Sequence, residues 1–254
     1  MLKTRVIPVL LMKNRGLYKG VKFKNHKYVG DPINTVKIFN DKEVDELVLL
    51  DIEASKYNKV IDFEFIEEIA TEAFMPLAYG GGIRSLEDAR RLFGIGIEKI
   101  ILNTSAIENM DLLEVLIRNF GSQSIVVSLD IKKSIFKKYR VYAKSASLKT
   151  RYNPIEFAQK MQDIGVGEII INSINNDGMM NGYDLKIIKE ISDTLDIPVI
   201  ACGGAGKLEH FVDAIKNGVH ACAAGSMFVY NGVHKAVLIS YPKYERLCQL
   251  FKEK

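Results

Sequence analysis

The sequence predicts an α/β fold, a single (β/α)8 TIM barrel built from two similar half-barrels. Three observations lead there. Short β-branched runs alternate with longer segments of helical period, the pattern of βα units feeding a parallel sheet. A glycine-rich turn occurs twice at the same point of a strand-turn-helix unit, as Gly80-Gly81-Gly82 after Pro76 to Tyr79 and as Gly203-Gly204-Ala205-Gly206 after Pro198 to Cys202; Gly81 and Gly203 are 122 residues apart. The following strand ends keep that offset, Asn103-Thr104-Ser105 answering Gly225-Ser226-Met227. A chain of 254 residues is long enough for two ordinary domains, but barrels of this kind use that length for one. Residues 1–254 therefore read as one domain, with half-barrels of about 1–120 and 121–254 joined near Gly121.

Taken in order, the strands are expected at Arg5–Leu10, Leu47–Ile52, Leu77–Tyr79, Lys99–Leu102, Ile125–Ile131, Ile169–Asn172, Val199–Ala201 and Ala221–Ala224. Between them, segments such as Ser85 to Phe93 and Lys207 to Ile215 carry a polar start and an apolar stripe, as amphipathic helices do. The stretch from Lys13 to Pro32 mixes glycine with lysine and is expected to be a mobile lid in which Lys19 meets a ligand.

Composition narrows the function classes. Hydrophobic residues make up 48% of the chain and charged ones 26%, enough for a sizeable core, and no low-complexity tract marks a linker. The N-terminal residues lack the apolar region of a signal peptide, and no apolar run approaches bilayer length, so a cytoplasmic protein with no membrane partner is expected. Cys202, Cys222 and Cys248 have neither CxxC nor metal-ligand spacing, which suits a reducing compartment. His26, His210, His220 and His234 have no metal spacing either and read as surface or helix histidines; no metal and no organic cofactor is expected. Net charge is +4, with basic clusters at Lys13 to Lys24 and Lys132 to Arg140 that read either as solvated loops or as a positive rim around an anion; no recognition motif suggests nucleic acid.

In a barrel of this type chemistry gathers at the C-terminal strand ends. Both glycine turns lead into a helix, so their backbone N–H groups can approach an anion while the helix N-terminus adds a favourable dipole. Two such cradles across one mouth imply a small elongated substrate with a phosphate at each end. The contacts expected are Gly82, Asn103 and Thr104 on one side, and Asp177, Gly178, Gly203, Gly204, Gly225 and Ser226 on the other. At the strand starts, Arg5, Glu46, Lys99 and Glu168 give two charges of each sign, and inward-facing charges there need partners.

The ordered runs Gly30-Asp31-Pro32, Asp45-Glu46-Leu47-Val48, Leu50-Asp51-Ile52, Gly80-Gly81-Gly82-Ile83, Asn103-Thr104, Phe120-Gly121-Ser122-Gln123, Asp177-Gly178, Gly182-Tyr183-Asp184 and Gly203-Gly204-Ala205-Gly206-Lys207 span the chain. Through them it resembles the cyclase subunit of imidazole glycerol phosphate synthase (HisF), a half-barrel duplication from histidine biosynthesis. The resemblance implies a two-part glutamine amidotransferase. A HisH-like glutaminase docks at the N-terminal mouth, and ammonia passes a gate matched here by Arg5, Glu46, Lys99 and Glu168 to a substrate at the C-terminal mouth.

The resemblance also implies two catalytic aspartates, at the ends of strands one and five. Asp130 matches the second, but Leu11 stands in the place of the first, and leucine cannot transfer a proton. Nearby, Asn172, Asn175, Glu53 and Val229 also depart from the family pattern. The implied reading is a relative that still conducts ammonia but delivers it elsewhere, as chains resembling this one do in bacterial surface-sugar pathways by supplying a separate, third amidotransferase protein. The alternatives are a histidine-pathway cyclase in which Glu53 or Asp51 substitutes for the lost aspartate, and a noncatalytic phosphometabolite-binding activator of the glutaminase. A plain phosphosugar isomerase is weakened by the retained gate.

Overall fold

The computed structural model describes residues 4–252. Eight parallel strands close on themselves: β1 (Arg5–Lys13), β2 (Leu47–Asp51), β3 (Leu77–Gly80), β4 (Lys99–Leu102), β5 (Ile125–Lys133), β6 (Glu168–Ser173), β7 (Val199–Cys202) and β8 (Ala221–Ala224). Each pairs with the next, and β8 pairs with β1 to complete the ring. Helices separate the strands. The one at Leu86–Gly94 begins with a capping box, in which the Ser85 hydroxyl accepts from Asp88 N and the Asp88 carboxylate accepts from Ser85 N.

The two-residue period of each strand divides the core. Ile7 and Val9 of β1 point inward and pack with Val48, Ile101, Val126, Ile170 and Ile200 inside the barrel. Val6, Leu10 and Met12 point outward and pack, with the other outward strand residues, under the helices. That alternation places Arg5, Ile7, Val9 and Leu11 in one inward column, and the same counting on β5 places Val126, Ser128 and Asp130 in another.

Two features differ from expectation. The Lys13–Pro32 stretch, expected as a mobile lid, carries regular structure: Gly16–Val21 and Lys24–Gly30 form an antiparallel hairpin that continues from β1. A matching excursion follows β5, where Tyr139–Ala143 pairs antiparallel with the end of the strand. The duplication therefore extends to a hairpin in each half. Among the described residues no helix is long and apolar enough to cross a membrane, and no group of three or more potential metal ligands occurs.

Candidate active site and ion-pair ring

At the N-terminal mouth the four strand-start charges form one closed ring. Arg5 donates to Glu46 Oε2 at 2.6 Å and to Glu168 Oε1 at 2.7 Å, and Lys99 Nζ lies 3.2 Å from Glu46 Oε2 and 3.1 Å from Glu168 Oε2. Signs alternate around the ring, so every charge faces two opposite ones, the arrangement that offsets the desolvation of inward-facing ions. Above it lies a narrow, mostly apolar space, walled by residues such as Ile7, Val48, Ile101 and Ile170, with Glu46 and Glu168 at the ring.

At the other end of that axis a cleft of about 1100 Å³, partly open to solvent, occupies the C-terminal mouth. It brings together Asn103, Thr104, Asp130, Asp177, Gly178, Gly203, Gly204, Gly225, Ser226 and Lys19, together with Leu11, Leu50 and Asn172. Gly80 and Gly81 form its wall on the β3 side, but Gly82 does not line it: the Gly82 N–H donates to Ser55 Oγ at 3.2 Å. Of the three glycines, Gly80 and Gly81 rather than the expected Gly82 face the cleft. On the opposite wall Gly204 has φ +121°, and a Cβ there would sit 2.2 Å from Gly182 O, so only glycine brings this backbone to the cleft.

Asp130 stands at the floor, 8% exposed, with Asn172 Nδ2 donating to its Oδ1 at 3.2 Å. Burial pushes the carboxyl up to about 7, the Asn172 hydrogen bond opposes this, and Asp177 adds to it. Asn172 Oδ1 is buried and has no hydrogen-bond partner among the described residues. Leu11 supplies only carbon to this cleft.

The carboxylates near β2 are engaged elsewhere. Asp51 lines the cleft, but its Oδ1 accepts the N–H groups of Glu53 and Ala54 at 2.8 and 2.9 Å. Glu53 pairs with Lys13 at 2.9 Å and Lys59 at 2.6 Å. Burial alone would raise Glu53, but the hydrogen bonds from Lys59 and Lys13 hold it below its ordinary range.

The hairpin after β1 closes one side of the cleft. Lys22 N donates to Asp177 O at 2.9 Å and Phe23 N to Asp177 Oδ2 at 3.3 Å, so Asp177 and Gly178 clasp the hairpin as well as bordering the cleft. Lys19 is buried and donates to Val9 O, its ammonium against the backbone of Gly225. Desolvation lowers Lys19 to about 8, with Asp177 opposing. The cation therefore lies beside Gly225, next to Ser226 in the cleft wall. His26, read from sequence as a surface or helix histidine, lies on this hairpin and lines the cleft; burial and the nearby Lys13 and Lys56 lower it. Only its position in an unrecognised hairpin could have revealed it.

Other departures have structural roles. Asn175 Oδ1 accepts from Lys133 N at 2.7 Å and its Nδ2 donates to Lys133 O at 3.2 Å. A carboxylate, having no donor, could make only half of that bridge. Cys202 lines the cleft, but burial holds its thiol up at about 12, so it packs rather than attacks. Val229 is fully buried.

Comparison with known proteins adds ancestry to this geometry. The model of the family described as histidine biosynthesis protein matches residues 5–235. A Pseudomonas aeruginosa protein provisionally named imidazole glycerol phosphate synthase subunit hisF2 is 48% identical over 248 residues, 97% of this chain and 99% of its own length. A Leptospira interrogans protein provisionally named HisF is 46% identical over 253 residues, 99% of this chain and all of its own. Imidazole glycerol phosphate synthase subunit HisF of Petrotoga mobilis is 40% identical over 237 residues, 93% of this chain and 94% of its own.

Proposed function

The chain belongs to the histidine biosynthesis protein family, among its HisF subunits, and from that premise we propose that it is the ammonia-receiving half of a glutamine amidotransferase that no longer performs the usual ring closure. A HisH-like glutaminase docks at the N-terminal mouth and releases ammonia beneath the ring of Arg5, Glu46, Lys99 and Glu168. The small neutral molecule moves along the apolar column above the ring and emerges beside Asp130. The cleft holds a phosphorylated compound between its glycine walls, with Lys19 supplying positive charge on the β8 side.

One observation carries the altered reaction: the inward column of β1 ends in Leu11, so the cleft has a carboxyl on β5 and none on β1. Cyclisation coupled to bond cleavage needs protons moved at both ends of the substrate. Neither Asp51, held by two backbone N–H groups, nor Glu53, held by two lysines, supports the view that another carboxylate took over. The ammonia then serves another acceptor. The resemblance to surface-sugar proteins points to a sugar precursor amidated by a third protein, in the cytoplasm.

The test is turnover of the imidazole glycerol phosphate synthase substrate by the purified chain with an ammonium salt, with Leu11→Asp measured alongside. The expected outcome is no turnover by the unmodified chain, retained substrate binding, and gain of activity in Leu11→Asp, because one acid/base group is worth about 10² to 10⁴ in rate. Robust turnover by the unmodified chain would return it to histidine biosynthesis. Glutaminase activation with no delivery of ammonia to any acceptor would instead identify a noncatalytic activator.

A further inference from the structure

We propose that the C-terminal mouth is also a protein-docking face, occupied by a second, ammonia-consuming enzyme that presents an acidic surface with an apolar recess. The partner's chemistry rests on the delivery reading above; the location rests on the surface itself.

Among the described residues fifteen large apolar side chains are exposed, and eleven of them lie in connections leaving the C-terminal ends of barrel strands. Adjacent Ile135 and Phe136, 91% and 80% exposed, stand in the turn between β5 and the strand Tyr139–Ala143. Val60, 84% exposed, stands on the connection after β2. Ile135 lies with Asn175, Asn176 and Tyr183 of the β6 connection, whereas Ser145, beyond the far end of the strand Tyr139–Ala143, donates to Ile52 O at 2.7 Å, so the excursion lies across the mouth from the β6 side to the β2 side. Adjacent apolar side chains held out in water, as at Ile135 and Phe136, mark a contact surface more than apolar residues exposed singly do.

Charge selects the partner. Residues 132–153, the excursion after β5, contain eight lysines and arginines and no aspartate or glutamate. Lys144 pairs with Glu108, but Lys137, Lys138 and Lys149 make no ion pair among the described residues. A phosphorylated ligand in the cleft would account for cations turned inward, not for a basic loop that carries exposed Ile135 and Phe136 at its turn. That combination fits an interface with an apolar anchor at its centre and charges that steer the encounter. Delivery gives the contact a purpose: ammonia released into neutral water is protonated, and ammonium has no lone pair with which to attack. The receiving active site must therefore seat on the mouth from which ammonia emerges.

The partner is to be trapped in cells by a photocrosslinking residue at position 136, then purified and combined with the chain and its glutaminase. Product formation is measured with glutamine and, separately, with an ammonium salt. The variant Ile135→Ser/Phe136→Ser is expected to lower glutamine-driven formation by about tenfold or more, the loss of one or two anchor side chains. Ammonium-driven formation and glutaminase turnover should stay unchanged, which excludes misfolding. Lys137→Glu/Lys138→Glu should slow association and flatten its salt dependence. Undiminished glutamine-driven formation in the Ser variant would overturn the docking face alone. So would a photocrosslink found only to a second copy, or Phe136-dependent binding to phosphatidylserine vesicles in place of a protein. Turnover of the histidine-pathway substrate by chain and glutaminase alone would overturn the delivery reading and the proposed partner with it.

Discussion

The two mouths of this barrel handle buried charge in opposite ways. At the N-terminal mouth four charges meet four partners in a closed ring, and nothing is left for a ligand to satisfy. At the C-terminal mouth Asp130 has one weak donor, Asn172 Oδ1 has no partner, and the Lys19 ammonium rests on a carbonyl. Unpaired polarity costs free energy in the folded chain, so its presence on the floor of the C-terminal cleft marks a place where stability yields to binding and chemistry. The paired end is held by structure; the other is the end where we propose that a substrate binds.

If that contrast holds, breaking the ring should have the largest effect on stability. Glu46→Gln leaves Arg5 and Lys99 sharing only Glu168, and it is expected to cost about 3 to 5 kcal/mol in urea denaturation. A loss below about 1 kcal/mol would mean that solvent already screens the ring.

Asp130→Asn should act in the other direction. The Asp130 carboxyl, ordinarily at 3.8, titrates near 7 in the fold, so below about pH 4 it is protonated folded or unfolded and carries no penalty. Between there and 7 the folded state binds more protons than the unfolded one, and stability falls as pH rises. Asp130→Asn is therefore expected to stabilise the fold by on the order of 2 to 4 kcal/mol at pH 8 and by almost nothing at pH 4, while abolishing any chemistry the carboxyl performs. A pH-independent effect would show that Asp130 is solvated.

Lys19 gives a smaller test of the same kind. Its folded value is lowered to about 8 from the ordinary 10.5, so the buried charge is a penalty at neutral pH that is relieved as pH rises between those values. Lys19→Met is expected to gain about 1 to 2 kcal/mol at pH 7 and to lose that gain by about pH 10.5. Inorganic phosphate should raise the Tm of the unmodified chain more than that of the variant, which keeps only the cradle across the mouth; equal shifts would separate Lys19 from phosphate binding.

The contrast between the mouths was only partly legible in the sequence. Strand positions follow from short β-branched runs, and the four ring residues stand out as two charges of each sign at strand starts and as the gate that the resemblance implies. The hairpin after β1 was hidden because its turn at Lys22 and Phe23 takes φ values of +53° and +60° without glycine or asparagine at either position, the residues by which such turns are usually recognised. With the hairpin unseen, His26 had no place in the cleft. Gly82 was ambiguous for another reason: a glycine N–H facing an anion and one donating to Ser55 look the same in sequence. The orphan oxygen of Asn172 depends on which partners tertiary packing brings near, and no local pattern encodes that.

Asn172 offers the smallest effect and the most direct one. Its amide donates to Asp130 and thereby favours the charged carboxylate, while its own oxygen is buried without a donor. Asn172→Ala removes a favourable hydrogen bond and an unfavourable orphan together, each about 1 kcal/mol, so stability should change by less than about 1 kcal/mol. The Asp130 carboxyl, freed of the only hydrogen bond that lowers it, should then titrate above 7, read from its infrared carboxyl band against pH. A large loss of stability would mean that the Asn172 oxygen has a partner after all, and a downward shift would mean that water enters to solvate Asp130. An upward shift at nearly constant stability would confirm that this end of the barrel, unlike the ring, holds its polar groups in reserve for a ligand.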